Sequence, residues 1–109
     1  MLRSSVQVAD VLITNAAFNG LKMDYCTGNI ESVVMEEING NGIDILGGTI
    51  QINNTTLKGI QDKAITVGNQ GKATINTTVI DDSNIGIASK DLSTITVKFV
   101  DLKNCQHGF

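Results

Sequence analysis

The chain has no proline and no tryptophan, and only four other aromatic residues: Phe18, Tyr25, Phe99 and Phe109. They are too scattered to form a platform for stacked bases. Eight basic residues face eleven acidic ones, a net charge of −3, with no basic block. The positive footprint that displaces counterions from nucleic acid is therefore missing, and no nucleic-acid partner is expected. No apolar run approaches the ~20 residues of a membrane-spanning helix. The first ten residues alternate apolar and polar side chains and do not make the apolar core of a signal peptide. This leaves the cellular location open. The two cysteines, Cys26 and Cys105, lie far apart and imply no disulfide framework. The single histidine, His107, has no second His or Cys at ligand spacing, so neither a metal nor another cofactor is expected.

What is present is repetition. Gly20, Gly42, Ala64, Gly86 and Gly108 recur every 22 residues. An apolar residue follows each: Leu21, Ile43, Ile65, Ile87 and Phe109. Two positions further stand Met23, Ile45, Val67 and Ser89. The other half of the repeat carries Val8, Ile30, Ile52, Ile75 and Val97, preceded by Val6, Gly28, Ile50, Ala73 and Ile95. Five residues after the former come Ile13, Met35, Leu57, Ile80 and Leu102. One step in these columns is 23 rather than 22. One extra residue near Gly68–Gly71 and one fewer around Asp81–Asn84 account for it, both in turn-rich stretches where insertions belong.

A fixed period of this length is the signature of a solenoid. No leucine consensus or inward asparagine recurs, which excludes a leucine-rich repeat, and helical periodicity is absent. Three short strands per turn fit, with successive turns paired in parallel about 4.8 Å apart. Residues 1–109 are thus expected to be one all-β domain, a parallel β-helix of about five coils roughly 24 Å long. About 20 inward side chains, at roughly 1.5–3 kcal/mol each when fully buried, give a credible core.

The segments Asp62–Gly68 and Ile85–Asp91 resemble coils of large bacterial surface or secreted proteins of the pectate-lyase-like superfold. The resemblance spans the whole chain. It implies a right-handed coil, in line with the right-handed preference of parallel crossovers. It does not select a function, because that superfold hosts lyases, hydrolases, epimerases, adhesins and inert stalks. Its implied chemistry would use clustered carboxylates with a basic residue. Here Asp44, Asp62, Asp81, Asp82 and Asp91, with Lys63 and Lys90 as bases, scatter over different columns. Lys22 falls one repeat before Asp44 and is expected to stack on it in a surface charge ladder.

Asn39-Gly40-Asn41-Gly42-Ile43-Asp44 is superficially like a calcium-binding nonapeptide, but it occurs once instead of every nine residues. Its glycines are expected to supply positive φ at a corner. A polar column, Asn15, Glu37, Gly59, Asp82 and Asn104, and the pair Asn53 and Asn76 are read as structural asparagine stacking.

A solenoid exposes unpaired strand edges and apolar surface at its ends unless something covers them. The last repeat is expected to lack a polar or helical cap, which is consistent with a piece of a longer β-helix, a gene truncated during its history, or ends covered by another copy. Leu102, Cys105 and Phe109 are the candidate end-interface residues. The expected function is a non-catalytic structural or interaction module that self-associates end to end as a homo-oligomer. A carbohydrate-binding module, with Tyr25 as the exposed aromatic, is the alternative, followed by a remnant polysaccharide lyase or hydrolase. No catalytic residue is assigned.

Overall fold

The computed structural model describes residues 4–108, and its regular structure is all β. Seven strands follow in chain order: β1 (Ser4–Ala16), β2 (Leu21–Asp24), β3 (Cys26–Ile38), β4 (Ile43–Leu46), β5 (Thr49–Gly68), β6 (Lys72–Ser89) and β7 (Thr94–His107). All pairings are parallel: β1 with β3, β3 with β5, β5 with β6, β6 with β7, and β2–β4–β5 along the remaining side. The result is a parallel β-solenoid of about five turns with the expected repeat.

Each coil bends at three corners. Asp10, Ser32, Asn54, Thr77 and Phe99 form one column of left-handed residues, with φ from 49° to 55°. Asn15, Glu37, Gly59, Asp82 and Asn104 form a second. Tyr25, Gly47–Gly48, Asn69–Gln70 and Asp91–Leu92 form the third. At the third corner, Gly71 N donates to Gly68 O at 3.0 Å and Ser93 N to Lys90 O at 3.2 Å. With two left-handed central residues, each is a type I′ turn.

A single left-handed residue interrupts the in-out alternation of a strand. The inward residues flanking it are three apart instead of two, as in Ile30 and Val33, or Met35 and Ile38, all buried. This arrangement adds two inward columns to those expected: Val11, Val33, Thr55, Thr78 and Val100, and Ala16, Ile38, Ile60, Ser83 and Cys105. The inward hydroxyls are satisfied locally. Thr55 donates to Asn53 O at 3.0 Å and Thr78 to Asn76 O at 3.1 Å.

The register change lies where the spacing placed it. Gly47–Gly48 in the second coil answers to Asn69–Gln70–Gly71 in the third, and the offset reverts between Ile60 and Lys63. Ser83 Oγ lies there within hydrogen-bonding distance of Ile85 O (2.7 Å) and Asp62 O (3.1 Å), so the hydroxyl bridges the irregularity.

Eighteen apolar residues are buried among the described residues, with the stack Ile30, Ile52 and Ile75 fully sealed. The small column at Gly20, Gly42 and Gly86 exists for space, not for φ. A Cβ on Gly42 would sit 2.6 Å from Leu57 Cδ2 and 2.5 Å from Ala64 O, and one on Gly86 2.8 Å from Leu102 Cδ2. The expectation that the glycines of Asn39–Asp44 adopt positive φ is thus corrected; the positive-φ glycines are Gly47, Gly48 and Gly59.

Candidate functional site

Among the described residues, the two ends of the stack and two lateral grooves present chemistry.

At the end formed by β7, the core columns have no partner on their outer side among the described residues. Ile95, Val97, Val100, Leu102 and Cys105 are half-buried and pack against the core from one side only. Of the expected end-interface residues, Leu102 and Cys105 lie here, while Phe109 is outside the described residues. A shallow cavity of about 340 Å³ lined by Ile87, Ser89, Ile95 and Val97 opens beside them. At the opposite end, Val6, Val8, Ile13 and Ala16 are half-buried in the same way.

The first lateral groove follows the second corner column. Glu37, Gly59, Gln61, Asp82, Asn84 and Asn104 line a cavity of about 460 Å³. It adjoins another of about 290 Å³ that reaches Asn15 and Asn39. Glu37 and Asp82 are separated by Gly59, where an added Cβ would meet Glu37 Oε1 at 3.0 Å, so the carboxylate leans into the gap. Asn104 Nδ2 donates to Asp81 Oδ1 at 2.8 Å. The column read as structural is therefore also the floor of a polar groove.

The second groove, about 610 Å³, lies on the third corner between Tyr25, Asn69, Gln70, Asp91 and Leu92. The Tyr25 ring rests on Gly47, where a Cβ would come within 2.5 Å of Cδ1 and Cε1. Asn69 Nδ2 donates to its hydroxyl at 3.4 Å. Tyr25 is 56% exposed and Leu92 84%, and both hold left-handed φ. A bulky apolar residue at such a φ costs roughly 1–2 kcal/mol, so these two side chains are displayed against local preference. A sequence reading could not place Leu92 here, because its neighbours in the corner column are glycine and polar residues.

The remaining acidic and basic residues stay dispersed. Lys22 and Asp44 are register partners, yet Lys22 Nζ pairs along its own strand with Asp24 at 3.3 Å. Asp44 instead accepts from Asn19 Nδ2 at 3.4 Å. The expected cross-coil charge ladder is replaced by ion pairs within coils, as also in Lys63–Asp62 and Lys103–Asp101. Asn53 and Asn76 are in register, but the asparagine ladder runs elsewhere. Asn19 Oδ1 accepts from Asn41 N at 3.0 Å, and Asn41 Oδ1 from Lys63 N at 3.1 Å. The signal was available in the Asn-Gly pairs at 19–20 and 41–42, one repeat apart. Cys26 and Cys105 are both free. Among the described residues, no group of three or more His, Cys, Asp or Glu side chains converges as a metal site, and no helix is long and apolar enough to cross a membrane.

The sequence matches no protein-family model and no curated protein.

Proposed function

We propose that this chain is a non-catalytic structural and interaction module that associates with copies of itself through the ends of the β-solenoid. The observation that carries the reading is the half-buried set Ile95, Val97, Val100, Leu102 and Cys105, each a core position paired on one side only among the described residues. A parallel strand edge with apolar inward side chains is a template for another strand. The reading takes the coil as right-handed, following the preference of parallel crossovers, and likens it to stalk-like members of the pectate-lyase-like superfold. Light scattering across a concentration series tests it. The expected mass rises above the 11.6 kDa of one chain; a mass that stays there at millimolar concentration refutes it.

The Tyr25 groove supports carbohydrate binding as a second reading. An exposed aromatic face, two side-chain amides and a carboxylate are the groups that hold a sugar ring and its hydroxyls. Tyr25 is the one tyrosine and there is no tryptophan, so intrinsic fluorescence reports on this site alone. Titration with neutral oligosaccharides is expected to perturb it saturably. No change with any of a broad panel removes this reading.

A further inference from the structure

We infer that the self-association is head to tail, with β1 of one copy added to β7 of the next in the register of the repeat; this rests on the self-association proposed above. The chain pairs Val6, Val8, Val11, Ile13 and Ala16 with their repeats in β3. The same columns end in β7 at Ile95, Val97, Val100, Leu102 and Cys105. Laying β1 of a second copy on β7 continues all five columns with apolar side chains. The corners also match, since Asp10 and Asn15 hold φ of 55° and Phe99 and Asn104 hold 54° and 53°. The incoming backbone already has the path that β7 requires.

Polar groups at the corners select the same arrangement. Within the chain, two diagonal hydrogen bonds join neighbouring coils. Asn54 Nδ2 donates to Glu31 Oε1 and Asn104 Nδ2 to Asp81 Oδ1, both at 2.8 Å and both 23 residues apart. Carried one coil beyond β7, the first position sets Asp10 of the incoming copy against Lys98. The second sets Asn15 against Lys103. A carboxylate meets an ammonium, and an amide oxygen meets another ammonium. A tail-to-tail contact would instead bring Lys98 and Lys103 of two copies to one surface. The two faces of a head-to-tail contact differ, so each addition leaves a fresh β7 edge and growth is open-ended.

Ala16→Cys in a Cys26→Ser background tests the register. In the proposed contact, residue 16 of one copy stacks on Cys105 of the next, about 4.8 Å away between Cα atoms and within disulfide reach. Within one chain they lie four coil spacings apart, about 19 Å, which no disulfide spans. Mild oxidation is expected to give a ladder of covalent dimers, trimers and higher species, with a digest peptide in which the thiol introduced at position 16 is joined to Cys105. Disulfide dimers of Cys26→Ser alone, joined Cys105 to Cys105, would show tail-to-tail contact and overturn the inference. Multimers by light scattering with no cross-link between position 16 and Cys105 would overturn the register while leaving self-association in place. A strict monomer would remove the underlying reading itself. Lys98→Glu gives a check without cysteines: association should weaken about two- to fivefold, the range of one exposed ion pair, and recover with Asp10→Lys. Failure of the pair to recover would overturn the assigned contact.

Discussion

Ile50 and Ile95 occupy one column, carry the same side chain, and differ only in their place along the stack. Ile50 is fully buried, between Gly28 and Ala73 in register; Ile95 is half-buried, with Ala73 on one side. Ile→Ala in a close-packed core costs about 2–5 kcal/mol. The backbone around Ile50 is held by parallel ladders on both sides and cannot collapse into the space, so the upper part applies, about 3–4 kcal/mol. With part of its surface already wet and no coil described beyond it to hold a cavity open, Ile95→Ala should cost about 1–1.5 kcal/mol in the dissociated chain. Urea unfolding at micromolar concentration measures the contrast. At a slope of roughly 1.5–2 kcal/mol per molar, the midpoint should fall about 2 M for Ile50→Ala and about 0.5–1 M for Ile95→Ala. Raising the protein concentration should enlarge the second loss, because an associated copy covers Ile95, and leave the first unchanged. Losses equal within about 0.5 kcal/mol at low concentration would refute the picture of a core sealed in the middle and open at the β7 end.

Gly48→Ala should destabilise by at least about 2 kcal/mol in the same unfolding assay. Its φ is +73° and the new Cβ would lie 2.0 Å from the Cys26 carbonyl oxygen, a backbone atom that cannot turn aside. Asn41→Ala should cost about 1–2 kcal/mol by leaving Lys63 N without its acceptor, whereas Asn39→Ala, at an exposed position, should change stability by less than about 0.5 kcal/mol. Thr66→Val should be neutral or stabilising by up to about 1 kcal/mol, since the Thr66 hydroxyl is buried without a partner among the described residues. Leu92→Gly should raise the unfolding midpoint by the equivalent of about 0.5–1 kcal/mol by relieving the left-handed backbone. In the carbohydrate reading, that same change should weaken sugar binding.

The architecture was legible because a solenoid writes its register directly into sequence: stacked positions must recur at one interval, and slips must fall in turns. The columns ending at Ile95, Val97 and Leu102 could be followed from periodicity alone, including the 23-residue step. Two inward columns escaped because a left-handed corner shifts the spacing from two to three. Their members are also chemically mixed: Thr55 and Thr78 in one column, Ser83 and Cys105 in the other, with each of the three hydroxyls bonded to a nearby carbonyl. Polarity at those positions reports a satisfied hydroxyl, not a surface.

The surfaces were less legible than the core for a different reason. Register brings residues to the same height, but outward side chains remain free to choose partners along the strand or across it. Lys22 stacks on Asp44 in Cα register and still turns to Asp24. Asn54 and Asn104 reach not the residue one repeat back but its neighbour 23 away. Both donors sit at left-handed corner positions, with φ of 51° and 53°. The diagonal contact is invisible in a 22-residue alignment, yet it assigns Asp10 to Lys98 across the proposed contact. A direct vertical rule would instead set Asp10 against the ring of Phe99 and Ala9 against Lys98, pairs with no electrostatic preference. The charge-reversal pair therefore tests the corner geometry as well as the assembly: recovery by Asp10→Lys is expected only if the diagonal contact inside the chain is repeated between chains.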